Sequence, residues 1–461
     1  MLVFNLRKRP TGLLIAGVAL ALFACGDVQD GAPDADDDNG DQLPDADDGN
    51  GDPPPDGDDG ELPPDADRDA DTGCDPGEAL RCDDDVLITC GDDGDSEEER
   101  DCPLGCDEAS TQCVAFEPSN DVGTFFAEAE EAPDVEIDSP GFIDTDNGTI
   151  TVGGDNVSVP TELLENIDGG ADIRVFMVGS LDILADTEVD GSAALAFVAD
   201  DDITIEALLD LSAEEDELGP GALIGSAAGP GGVCPEGGSS GGGGGPFGGD
   251  GGSGGTAGQV SGGFGGPAQD DFEDLIPLRG GHIGREASTR GNRIAGAGGA
   301  VQLVSRTRVV VRDGGAIGAG GAAGGTGSGG GSGGGILIEA PIVQALDGGT
   351  AVAANGGGGG CAQSDTPAED GRLDDQPAGG CETSSSHGDG GAGGAGSEPD
   401  GENGESVSPG YACDGSQQAF VGGGGGGGAG HIRINNESGS FSPQGGATVS
   451  PDPSVGEIAI P

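Results

Sequence analysis

The chain has 461 residues, but 100 are glycine and only 3% are aromatic, so its length cannot all be packed into conventional hydrophobic cores. Its formal charge is -70, from 86 Asp and Glu against 16 Lys and Arg. Such a surface repels phosphate backbones and anionic headgroups, which argues against nucleic acid and leaves cations, glycans and other cell-surface components as partners.

The chain opens with a basic cluster, Arg7, Lys8 and Arg9, followed by an apolar run from Leu13 to Phe23. That combination predicts an export leader over residues 1–24 and is too short for a membrane span. Its end, Leu22-Phe23-Ala24-Cys25-Gly26, resembles the lipobox of bacterial lipoproteins. The resemblance implies cleavage before Cys25, a lipid on its thiol and anchorage in a membrane, with Gly26 in place of Asp favouring the outer membrane or cell surface. An ordinary cleaved signal peptide is the alternative.

Residues 25–73 are Asp, Pro, Gly and Ala with almost no large apolar side chain. Such a segment cannot bury enough surface to offset its ordering entropy, so a disordered, charge-extended stalk is expected. Asp34, Asp36, Asp38 and Asp41, then Asp45 and Asp47, resemble the alternating aspartates of thrombospondin type-3-like repeats, which implies Ca²⁺ as a ligand. Their spacing is irregular and no closing Glu follows, so diffuse cation association is the plainer expectation.

Cys74, Cys82, Cys90, Cys102, Cys106 and Cys113 fall within residues 74–116. Six cysteines in a short exported segment predict a three-disulfide module, with all fifteen pairings open. Neither a His nor a CxxC pair lies nearby to suggest zinc. The segment resembles small Cys-rich modules of predatory and myxobacterial surface proteins.

From about Val122 the chain becomes β-rich, with Thr149–Val152 and then Val157–Val159 as the first expected strands. A pattern of short alternating apolar runs then recurs at about twenty residues, ignoring insertions: from Asp172, Ala194, Val301, Ile336 and, more loosely, Ile432. Alternation predicts strands with one face inward, and the recurrence predicts stacked coils. This resembles a right-handed parallel β-helix of the pectin-lyase-like kind over residues 122–461, an all-β solenoid.

Between coils lie glycine-rich excursions, about 219–299, 318–335 and 355–430. Each leaves and returns at the same point of the repeat, so all should emerge from one corner. Flexible or loosely packed loops are the expectation, with packed glycine layers the alternative. The combination resembles glycine-rich β-helical surface proteins of myxobacteria. No lysine follows Cys25, which closes the P-loop reading, and GGDGGSGG at 248–255 only echoes the calcium nonapeptide. Cys234, Cys361, Cys381 and Cys413 are read as two loop-closing disulfides, Cys361 with Cys381 first and Cys234 with Cys413 by remainder. Metal ligation with His282, His387 or His431 is the alternative.

The expected function is structural, adhesive or recognitive, without catalysis and without a cofactor beyond possible Ca²⁺. The alternative is a carbohydrate-active β-helix lyase or hydrolase. It would draw on Asp200, Asp201 and Asp202 or on Arg306, Arg308 and Arg312. The absence of Trp and the single Tyr411 leave few sugar platforms.

Overall fold

The described residues all belong to one unit of the chain, Asp71–Pro461. The computed structural model describes residues 74–460 except 92, 166–169, 226, 234–238, 288–293, 363–365, 384–386 and 408–420. The expected leader, Cys25, the aspartates Asp34 to Asp47, Cys234 and Cys413 all lie outside the described residues.

The Cys-rich module is a three-stranded antiparallel sheet, Ala79–Asp83, Val86–Cys90 and Glu97–Asp101. A two-residue hairpin, Cys106–Asp107 with Gln112–Cys113, follows it. Its buried apolar side chains are few, chiefly Leu87 and Ile88. Disulfides Cys74–Cys90, Cys82–Cys106 and Cys102–Cys113 make up the deficit. Loops of this length restrict the unfolded chain by about 3 kcal/mol each.

The segment after the module is helical where strands were expected. Val122–Phe125 is a 3₁₀ turn and Phe126–Glu130 a short α-helix. Neither segment alternates cleanly, and both pack outside the strands that follow.

Those strands form three largely parallel sheets. Four successive circuits, from Ile173 to Ala353, each give one strand to each sheet, as in Ala194–Ala199, Ile203–Ile205 and Leu208–Asp210. The next circuit supplies Ala300–Ser305, Arg308–Val311 and Ala316–Gly318 in register. The apolar residues read as recurring therefore stack directly, Phe176 on Phe197, then Leu303, Ile338 and Ile434. Phe176 and Phe197 lie with ring centroids 5.5 Å apart. In the second sheet the ladder is Val135, Leu181, Ile203, Val309 and Val343. Parallel sheets are stable where both faces are covered, and the inner faces here share one continuous core.

The circuits start earlier than the sequence suggested. Val135–Ile137 and Gly141–Asp144 already pair in parallel with Leu181–Ile183 and Thr187–Asp190. Thr149–Val152 and Asp155–Val157 instead turn back antiparallel, and Thr161–Leu164 does the same against Ile173–Val178. These antiparallel strands cover sheet edges that would otherwise invite pairing with another chain.

The sheet containing Ala194–Ala199 is also covered on its outer face. Phe116, Val122, Phe126, Phe247, Leu275 and Leu278 pack there against Val175, Met177, Val198, Val304 and Leu337. Within this covering the carboxylate of Glu339 is buried without a cationic partner among the described residues. It accepts hydrogen bonds from Ser119 N–H and Oγ–H (3.1 and 2.8 Å), Gln302 Nε2 (2.7 Å) and Asn435 Nδ2 (2.9 Å). The two donors of Ser119 hold the 116–121 segment against the sheet, while Gln302 and Asn435 fix the carboxylate from neighbouring strands.

Candidate functional site

The glycine excursions leave after the third-sheet strands Leu208–Asp210, Ala316–Gly318 and Ala351–Ala353. They return into Ala300–Ser305, Gly335–Glu339 and His431–Asn436 of the first sheet. All therefore open from one corner of the circuit. Their described residues are not loose loops: most of the glycines are buried and bonded to one another.

The run 421–430 lies at the centre. Its N–H groups turn to a new neighbour at each residue and return to the first after three. Gly422, Gly425 and Gly428 donate to Ser239, Gly242 and Gly245, and Gly423, Gly426 and Ala429 to Glu405, Glu402 and Pro399. Gly424, Gly427 and Gly430 donate to Gly360, Gly357 and Ala354. Its carbonyls accept from three further runs: from Gly330 and Gly333, from Gly252 and Gly255, and from Gly391 and Gly394. Six runs thus surround one, some parallel to it and some antiparallel.

Three residues per turn is the repeat of the polyproline II helix, which makes no internal hydrogen bonds and so leaves every backbone group to its neighbours. Close packing then demands glycine. A Cβ built on Gly423, Gly424, Gly425, Gly426, Gly427 or Gly430 would lie closer than 3.0 Å to a carbonyl oxygen of an adjacent run. The loose-loop expectation fails because glycine, without side chains, was read as freedom when it is here the condition for contact.

Outer runs keep the three-residue period but carry side chains on their exposed positions. The N–H groups of Asp250, Ser253 and Thr256 donate to Asp400 Oδ1, Asn403 Oδ1 and Ser406 Oγ at 2.8, 2.7 and 3.0 Å. Asp250 Oδ1 and Ser253 Oγ accept in turn from Ala268 and Gly265 N–H. Asp400, Glu402, Asn403, Glu405 and Ser406 are exposed along one run, and Ser261, Phe264 and Pro267 along another. At about 3.1 Å per residue these positions recur every ~9 Å. The face is ordered, acidic and rich in hydrogen-bonding groups.

Two features fasten this bundle. Cys361 and Cys381 are joined by a disulfide between runs. Asn355, fully buried, donates to the Arg372 and Asp374 carbonyls (both 2.7 Å) and accepts from Ser450 Oγ (2.6 Å), tying a bundle run to the last circuit.

The charged corner singled out in the sequence is an ion-pair network. Asp200 meets Arg100 of the Cys-rich module at 2.7 Å and Arg306 of the next circuit at 2.9 Å. Arg308 pairs with Asp202, and Arg312 with Glu206 at 2.8 Å. Arg306 also lies over the Phe126 ring, 4.8 Å from its centroid. A cleft of about 430 Å³ lies between module and corner, with Glu98, Glu99, Arg100, Asp201, Asp202 and Arg308 on its walls. Burial, then the neighbouring Asp202, push the Asp201 carboxyl above the usual carboxylate range. Asp200 and Asp202 are thus engaged by arginines, with Thr307 Oγ–H as a further donor to Asp202 (2.7 Å).

No protein-family model, curated protein or solved structure matches this chain. Among the described residues, no group of three or more His, Cys, Asp or Glu side chains is placed to hold a metal ion. Nor is any described helix long and apolar enough to cross a membrane. His282 and His431 both lie near Phe247, at ring-centroid distances of 6.5 and 4.7 Å, while His387 lies apart, accepting from Val421 N–H. The residues that sequence reading missed are Arg100, Ser119, Gln269, Gln302, Glu339, Asn355 and Asn435. Each acts through a partner far away in the chain.

Proposed function

We propose that the protein is a lipid-anchored, extracytoplasmic surface lipoprotein in which the three sheets are the faces of a right-handed parallel β-helix and the glycine bundle is a rigid recognition or adhesive surface. The observation that carries this reading is the order of the bundle. A segment of glycine runs locked by a regular hydrogen-bond lattice presents exposed groups at fixed spacing and loses little entropy on binding, which favours recognition of an extended, repetitive partner. Its acidic charge favours cationic or hydroxyl-rich neutral partners such as glycans over nucleic acid. The role is non-catalytic: the corner carboxylates serve the packing of module against sheet.

Anchorage is tested by fractionation and fatty-acid labelling of the full chain. The wild type is expected to partition with membranes and take up label. Cys25→Ala is expected to lose both, and retained label with retained partitioning contradicts the anchor. Recognition is tested on the same protein with an array of neutral and basic polysaccharides, read together with a reducing-end assay. Binding without turnover supports the proposal, and turnover abolished by Asp201→Asn favours the lyase or hydrolase alternative.

A further inference from the structure

Between the bundle and the first sheet runs a strap, residues 269–279, that carries Leu275 and Leu278 into the apolar covering of the sheet. Its first residue, Gln269, is the hub of a chain of hydrogen bonds. Arg279 Nη2 bonds Gln269 Oε1 at 3.0 Å, Gln269 Nε2 lies 2.7 Å from His282 Nε2, and His282 Nδ1 lies 2.5 Å from the Gly225 carbonyl. His282 is 7% exposed and is fixed at its backbone by Ser332 Oγ (2.8 Å).

The direction of every bond in this chain is determined. A guanidinium can only donate, so the amide oxygen of Gln269 faces Arg279 and its NH₂ faces His282. An amide NH₂ can only donate, so His282 Nε2 accepts and its proton resides on Nδ1, where it donates to Gly225. A second proton on His282 would set two donors against each other across 2.7 Å. Turning the Gln269 amide over removes that conflict and creates the same one with Arg279. No arrangement of these side chains satisfies the imidazolium.

We propose that this chain is a proton-sensitive latch: protonation of His282 releases Gln269, and with it the strap 269–279, from the bundle. The charges facing His282 reinforce the polarity. Arg279 opposes a second positive charge, no carboxylate among the described residues is bonded to the ring, and the acidic Asp270 and Glu273 act on His431. Burial lowers the proton affinity of both histidines below the ordinary value. A group whose folded pKa is depressed stabilises the fold above its unfolded pKa, about 6.5, and that stability is lost as pH falls below it. Release of Gln269 also removes the acceptor of His431 Nε2, the Gln269 carbonyl, so the two histidines loosen together.

The chain holds only three histidines, so carbon-labelled histidine gives three signals assignable by single substitutions. In the full-length wild type, the His282 signal is expected to titrate below about 6.5. Over the same pH interval, amide exchange, normalised to the intrinsic rate, should accelerate at 223–225 and 269–279. In Gln269→Glu a carboxylate accepts from both Arg279 and the imidazolium, so the His282 midpoint should rise by about one unit or more. The fall in thermal midpoint between neutral and mildly acid pH should shrink with it. Titration of wild-type His282 with no change of protection at the strap overturns the latch. So does an unchanged His282 midpoint in folded Gln269→Glu.

Discussion

Gly426→Ala is expected to disrupt the bundle although it adds a single methyl group. Gly426 sits mid-way along the central run, donating to Glu402 and accepting from Gly252 at 2.9 and 2.8 Å. An alanine Cβ there would overlap the Ala392 carbonyl of a third run. The methyl has no flexible neighbour to displace, because what it meets is backbone. The runs must separate, and each displaced run forfeits bonds whose buried partners then go unsatisfied. We expect a loss of about 3 kcal/mol or more, at or above the upper end of ordinary overpacking. Gly348→Ala is the control. Gly348 is exposed, and its Cβ would lie 3.6 Å from the nearest backbone atom, an ordinary contact. There alanine reduces only the freedom of the unfolded chain, so stability should be unchanged or rise by up to about 1 kcal/mol. Thermal or denaturant unfolding of the two variants checks the contrast, and equal effects would mean that the central run is not closely packed.

Glu339→Leu carries the second large effect. The leucine keeps the volume but takes the acceptor from Ser119 N–H and Oγ–H, from one Nε2 hydrogen of Gln302 and from Asn435 Nδ2. Gln302 cannot turn to compensate, because its Oε1 accepts from Asn120 and its Nε2 also donates to the Ser119 carbonyl. Each buried donor left unsatisfied costs about 1–3 kcal/mol, so a total loss of about 3 kcal/mol or more is expected, with no charge stranded by the substitution. Glu339→Gln should cost less, since one of its two terminal atoms still accepts. Because Ser119 belongs to the segment that joins the Cys-rich module to the sheets, Glu339→Leu should also expose that segment to protease before global unfolding. Equal thermal midpoints for wild type and both variants would show that the network contributes nothing.

The two parts of the fold differ in how far local sequence reveals them. Strands such as Ala194–Ala199 and Ile203–Ile205 carry side chains of alternating character, and the same alternation recurs at Val301 and Ile336, so their stacking is legible. In a glycine run no side chain encodes a face, and 421–430 reads equally as linker or as packed core. A usable signal did exist at its margins. GGDGGSGG, met first as an echo of a calcium motif, places Asp250 and Ser253 three residues apart, and Thr256 continues the step. Asp400, Asn403 and Ser406 repeat it 150 residues later. Such a period belongs to neither helix nor strand but to a three-residue turn with glycine facing inward. Glu339, Gln302 and Asn435 were hidden for a different reason. Their strand positions point away from the shared core, where solvent is the local expectation. Only the distant 116–121 segment and the strap 269–279 bury them. The disulfide Cys361–Cys381 could be anticipated from its short loop, whereas Arg100 meets Asp200 across a hundred residues of chain with no local sign.

The central claim is that the glycine runs are packed core and not linker, and amide hydrogen exchange of the full-length protein at neutral pH tests it most directly. Every N–H from 422 to 430 donates to a backbone carbonyl of another run. The account predicts that a peptide spanning these residues exchanges as slowly as the strand Ala300–Ser305. Exchange of 422–430 at the rate of an unstructured peptide, while that strand stays protected, would contradict it.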